Sequence, residues 1–193
     1  IGLIVSNSKK YRDNPEFVDD TFETLEHTKE RMDKMLEQLK EKQQQRSSVE
    51  SVELNETLEQ VVAHYQNGEP RPEFVPAHCP INLCIDKDRF SSVIGHLIDN
   101  AQQATDPHGS VLVKLVVDPE NKIKVVISDT GIGMSKDFID NLLFKPFETT
   151  KGNAGMGVGV YEAKSFATEL NGKLSVDSEE GVGTTFVMTL PVI

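Results

Sequence analysis

The chain has 193 residues, 37% of them apolar and 26% charged, enough for one or two packed domains and unlike a disordered tail. Its 31 acidic residues outnumber 20 basic ones, for a net charge of −11. So acidic a chain lacks the cations to hold a nucleic-acid backbone, and any phosphate it binds must be met by backbone N–H groups, a metal ion or a few local cations.

Residues 1–46 read as two helices. Ile1, Ile4, Val5, Ser8 and Tyr11 share one face. Asn14 suits an N-cap, Pro15 the first helical position and Glu16 the positive helix end. Val18, Leu25, Met32 and Leu39 then recur every seven residues, widened by Phe22, Met35 and Leu36. The expected arrangement is an antiparallel helical hairpin. A lone hairpin with so wide a stripe would leave apolar surface wet, so it is expected to pair as a homodimer that completes four helices. The alternative is a hairpin packed on its own domain. The polar tract from Glu41 to Ser48 marks a boundary, giving domains 1–46 and 47–193.

From Val49 the pattern changes. Val49–Leu54 reads as a strand, and Asn55 as the cap of a helix bearing Leu58, Val61, Val62 and Tyr65. Phe74-Val75 and Ile81–Ile85 read as short strands, Asp88–Thr105 as an apolar-periodic helix, and Val111–Val117 and Ile123–Ser128 as paired strands. Short helices are predicted over Phe138–Leu143 and Met156–Leu170, and a closing hairpin over Lys173–Val176 and Thr184–Leu190. The class is α+β, an antiparallel-rich sheet with helices on one face. Cys79 and Cys84 make no disulfide framework and read as reduced thiols of a cytosolic protein. No apolar run approaches the roughly 20 residues of a membrane span. The chain opens at Ile1 inside an apolar-periodic stretch and reads as a piece of a longer protein, whose other part could hold a membrane anchor.

Four stretches carry chemistry. His96, Asn100 and Gln103 lie at i, i+4 and i+7 on one helix face, where a side-chain amide oxygen could ligate Mg²⁺ or simply meet solvent. Asp129-Thr130-Gly131-Ile132-Gly133-Met134 follows a strand. Its glycines permit a tight turn or close approach to a flat ligand, and its Asp can accept from an amino group such as that of adenine. Gly155-Met156-Gly157-Val158-Gly159 opens a helix, where three costly glycines suit close approach to phosphates. It has neither the dinucleotide-binding spacing nor the Gly-Lys-Ser/Thr of a P-loop. Between them, residues 134–155 form a long connection that reads as a lid, with Phe144 and Phe147 to fasten it and Lys151 to meet a phosphate.

In this order the motifs resemble the ATP-binding domain of the gyrase, heat-shock chaperone, histidine kinase and MutL superfamily, and within it a sensor histidine kinase. His96–Asn100 resembles the N box, Asp129–Gly133 and Gly155–Gly159 the two glycine boxes, Phe144–Phe147 the F box, and Gly181–Phe186 the G-x-G-T-x-F segment. The resemblance covers about residues 49–193, while 1–46 resemble the later part of a dimerisation and phosphotransfer hairpin. Arg12–Phe17 is similar to the PrsK-type kinases of PEP-CTERM systems.

The resemblance implies a two-layer sandwich of the Bergerat type that binds ATP and Mg²⁺. Asn100 would be the metal ligand. Asp129 would bind the adenine amino group, with Gly131 and Gly133 shaping that wall and Thr184 near the base. Gly155, Gly157 and Gly159 would cradle phosphates. Gln103, Met134, Phe144, Lys151 and Val158 would complete the nucleotide lining. A response-regulator receiver domain would be the protein partner, nucleic acid would not, and a membrane would be met only through parts outside this chain.

Two departures stand out. At His96 kinases often carry Asn and hydrolytic relatives a Glu, so His96 is expected either to help position metal and phosphates or to act as a base. The acceptor His of a histidine kinase is missing from Ile1–Arg12, and His27 is followed by Thr28, not an acidic residue. The acceptor is therefore expected upstream of Ile1, and this chain is expected to bind ATP without phosphorylating itself. The competing readings are an ATP-hydrolysing relative and a non-catalytic nucleotide-sensing dimerisation module.

Overall fold

A computed structural model describes residues 48–146 and 158–192. The expected helical hairpin, and Phe147, Lys151, Gly155 and Gly157, lie outside the described residues.

The elements run in chain order β1 (Val49–Glu53), α1 (Leu54–His64), β2 (Pro72–Val75), β3 (Asn82–Asp86), α2 (Lys87–Ala104), β4 (Val111–Val117), β5 (Lys122–Asp129), α3 (Lys136–Asn141), α4 (Gly159–Glu169), β6 (Lys173–Glu179) and β7 (Gly183–Pro191). The main sheet has five strands in the order β2-β4-β5-β7-β6, and β1 pairs with β3 in a separate two-stranded sheet. Only the β2–β4 pair of the main sheet is parallel.

Alternation gives this sheet one dry face. Val111, Val113 and Leu115 of β4, Ile123, Val125 and Ile127 of β5, and Met188 and Leu190 of β7 are buried. Register stacks them in rows: Val113 opposite Ile127 and Leu115 opposite Val125, then Ile127 opposite Phe186 and Val125 opposite Met188. The alternate residues Leu112, Lys114, Val126, Ser128 and Thr185 keep solvent contact. Helices α1, α2 and α4 cover the dry face, and α2 is central, touching both other helices, β4 and β5. Its stripe of Phe90, Val93, Ile94, Leu97, Ile98 and Ala101 is buried, as helical spacing requires.

Capping departs from the sequence expectation in α1. Asn55 does not cap it; Glu53 does, accepting from the Glu56 N–H at 2.7 Å through Oε2 and from the Ile81 N–H at 2.9 Å through Oε1. Asn55 instead ties the loop before β3, accepting from the Ala77 N–H and donating to the Cys79 carbonyl. A side chain reaching both a helix end and the loop leading into β3 satisfies two backbone donors at once, which local spacing cannot display. Helix α3 starts two residues earlier than expected because the Ser135 hydroxyl caps it, accepting from the Phe138 N–H. Cys79 and Cys84 are free and exposed.

Helices α2 and α4 run antiparallel. Arg89 forms a two-pronged ion pair with Glu169, and its guanidinium lies 5.4 Å from the centre of the Phe166 ring. Phe166 meets Phe90 with ring centres 6.0 Å apart.

Candidate functional site

The inward row of β5 reads Ile123, Val125, Ile127 and then Asp129, so the pleat that buries three apolar chains also buries a carboxylate at the sheet's end. Asp129 is 8% exposed. Its Oδ1 accepts from the Gly131 N–H at 2.9 Å and the Thr184 N–H at 3.3 Å. Its Oδ2 has no hydrogen-bond partner among the described residues. No fully buried side-chain polar atom there lacks a partner, so Oδ2 keeps access to the outside. Burial pushes this carboxyl above the usual aspartate value, while the two backbone donors pull it back.

The first glycine cluster is packed against backbone. A side chain at Gly131 would lie 2.4 Å from the Ala104 carbonyl oxygen, and the Ile132 N–H donates to that same oxygen at 3.0 Å. Gly133 has φ +67°, and a β-carbon there would lie 1.9 Å from the Glu179 carbonyl oxygen. The close approach that these glycines permit is thus to the end of α2 and to the β6–β7 hairpin. It holds Asp129, Gly131, Gly133, Met134 and Thr184 as one group.

Ser178 joins that group and was not foreseen. Its hydroxyl donates to the Gly183 carbonyl, accepts from the Met134 N–H, and meets the buried Thr184 hydroxyl, each at 2.9 Å. With its single proton on Gly183, Ser178 accepts from Thr184.

A second group forms where α2 meets the start of α4. His96 Nδ1 lies 3.3 Å from Glu162 Oε2, with the side chains 46% and 37% exposed. A β-carbon on Gly159 would lie 3.0 Å from the His96 β-carbon, so this glycine lets the two helices close. The Glu162 hydrogen bond lifts the imidazole above its ordinary pKa; burial opposes this, and the charges of Glu162 and Asp99 add to it. Glu162 too was not foreseen. Its only local signal is an acidic residue in a first helical turn.

The remaining expectations separate. Asn100 is half-buried on α2 one turn beyond His96, and the exposed Gln103 donates to Asp99 at 2.6 Å. Val158 immediately precedes α4. Phe144 stands apart: Lys164 Nζ lies 4.3 Å from its ring centre, beside a groove of about 330 Å³ shared with Tyr161, Ser165, Thr168 and Glu169. No residue of the Asp129 group lines that groove.

The fold is a helix-backed mixed sheet with a rim carboxylate set between glycine turns. Residues 85–193 match the model of the histidine kinase-, DNA gyrase B- and HSP90-like ATPases, and the chain belongs to that family. It is 36% identical over 122 residues to the autoinducer 2 sensor kinase/phosphatase LuxQ of Vibrio parahaemolyticus, a match covering 58% of this chain and 14% of that protein. It is 33% identical over 110 residues to the sensor protein SrrB of Staphylococcus aureus, covering 55% of this chain and 19% of that one. The chain therefore spans less than a fifth of these relatives.

Among solved structures, the mycobacterial sensor histidine kinase MprB superposes with a TM-score of 0.64 at 25% identity, covering 75% of this chain and 97% of that one. Full-length ShkA in complex with AMPPNP has the same fold, with a TM-score of 0.64 at 22% identity over 75% of this chain and 31% of that one. The Bergerat-type α+β sandwich is borne out. Among the described residues no helix is long and apolar enough to cross a membrane.

Proposed function

We propose that this chain is the catalytic part of a two-component sensor histidine kinase of the PrsK type. It binds Mg²⁺-ATP, its γ-phosphoryl group goes to a His upstream of Ile1, and an Asp of a response-regulator receiver domain takes it next. In this reading residues 1–46 are the later part of the dimerisation hairpin, 47–193 the ATP-binding domain, and the parent a membrane-anchored protein with this portion in the cytoplasm. The sensor-kinase relatives support the class. The observation that carries nucleotide binding is Asp129, whose Oδ1 is committed to two backbone donors while Oδ2 stays available to a donor from outside.

That half-committed carboxylate fits the adenine amino group, which needs one acceptor at a dry wall. Asn100 fits Mg²⁺ by its chemistry: a neutral amide oxygen at a half-buried position on α2 suits an ion that takes few protein oxygens while keeping waters and substrate phosphates. The ion supplies charge neutralisation for phosphoryl transfer. The chain's own part is to orient: Asp129 and Thr184 fix the base end, and the start of α4 with Val158 and Gly159 faces the phosphate end. Gly155, Gly157 and Lys151 belong to this reading by motif alone.

The test is titration calorimetry with Mg²⁺-ATP. Asp129→Ala should lower affinity about 5- to 150-fold, the cost of a buried donor left unpaired. Unchanged affinity would remove the adenine assignment.

A further inference from the structure

We propose that Glu162 is a positioning residue for the phosphate end of the nucleotide: it grips His96 through Nδ1 and so aims Nε2 at the phosphates. This rests on the nucleotide reading above. The pair spans two elements, His96 on α2 and Glu162 in the first turn of α4, with 3.3 Å between Nδ1 and Oε2. Nε2 has no hydrogen-bond partner among the described residues, and the side chain stays 46% exposed. The ring therefore has one nitrogen engaged and the other without a partner among the described residues.

Its location follows from Gly159. That residue begins α4 directly after the second glycine cluster, and its backbone lies against the His96 β-carbon. Asn100 lies one turn further along the same face of α2. A ring held there by a carboxylate on Nδ1 has its tautomer and orientation set by that carboxylate. With Nδ1–H donating to Glu162, Nε2 is the nitrogen left to the nucleotide, and in the protonated ring it donates Nε2–H to a phosphate oxygen.

The molecule contains its own control. Arg89 and Glu169 join the same two helices seven residues away on each, by a two-pronged contact. If Glu162 served only to hold α4 on α2, losing either carboxylate would have similar consequences.

The experiment measures competition of Mg²⁺-ATP and of adenosine against a fluorescent ATP analogue on the 193-residue chain, with thermal unfolding alongside. Glu162→Ala should weaken Mg²⁺-ATP about fivefold and leave adenosine unchanged, the scale of one coupled pair. Glu162→Gln keeps an acceptor for Nδ1–H and should recover most of the loss. In a His96→Ala background Glu162→Ala should have no further effect. Glu169→Ala should lower Tm and change neither ligand. The proposal is overturned if Glu162→Ala leaves Mg²⁺-ATP affinity intact, weakens adenosine equally, or still acts without His96. No nucleotide binding by the unaltered chain would overturn the underlying reading, and this proposal with it.

Discussion

The carboxyl of Asp129 occupies a place that the fold alone would give to an apolar side chain, and its cost can be measured apart from its use. Burial raises its pKa against the pull of the Gly131 and Thr184 N–H groups, so the ionised form is the one disfavoured in the folded state. Below the ordinary aspartate value of 3.8 both folded and unfolded chains carry the proton and the cost is absent; it appears as pH rises from there through the folded value, and is full above it. In Asp129→Asn, Oδ1 can still accept from both backbone donors while an amide nitrogen replaces Oδ2. That variant should unfold at a higher temperature than the parent at neutral pH, and the gain should vanish below the ordinary carboxylate range. Adenine nucleotide affinity should fall meanwhile, because a donor then faces a donor. A lower Tm at neutral pH would show that the charge stabilises the fold. Asp129 was legible in the sequence because strand alternation and the glycines after it are local signals. Ser178 and Glu162 were not, since each acts on a residue more than 40 positions away and nothing in the intervening spacing records that meeting.

At the scale of elements, the two inter-helix ion pairs share one geometry. Arg89 and His96 are seven residues apart on α2, Glu162 and Glu169 seven apart on α4, and antiparallel packing joins them first to last. Heptad spacing returns a helix to the same face after two turns, so both pairs lie on one seam. Helix periods and strand alternation were readable because burial imposes them locally. Strand partners were not, and the parallel β2–β4 pair and the separate β1–β3 sheet are set by tertiary packing. Glu53 is the clearest case of an element boundary fixed at long range. Burial pushes its carboxyl up, but the N–H groups of Glu56, Ile81 and Asn55 together with the Asn55 amide outweigh that and hold it below the usual glutamate value. Its contribution is therefore full above the ordinary value of 4.5 and fades as pH falls through the folded value. Glu53→Ala should cost about 0.5–2 kcal/mol in denaturant unfolding at neutral pH, the range for a lost cap. The difference from the parent should shrink in acid; one that persisted there unchanged would mean that packing, not the charged cap, carries it.

For the whole molecule, binding and transfer come apart. The residues proposed for the nucleotide lie within 96–184, whereas Ile1–Arg12 contains no His and His27 has no acidic residue after it. The 193-residue chain should therefore bind Mg²⁺-ATP and incorporate no phosphate from γ-labelled ATP. A version extended upstream of Ile1 should label itself on a His there, with the acid-labile behaviour of phosphohistidine. Asn100→Ala should abolish labelling in that longer chain, since the phosphates would lose the protein ligand that holds their metal. His96→Ala separates two chemistries. Loss of a general base should slow transfer roughly 10²- to 10⁴-fold. Loss of a phosphate-positioning group should cost less and be partly restored by added Mg²⁺, the outcome expected if Glu162 aims His96 Nε2 at the phosphates as proposed. Acid-labile label on the 193-residue chain itself, lost with His27→Ala, would place the acceptor on the second predicted helix and overturn the upstream assignment.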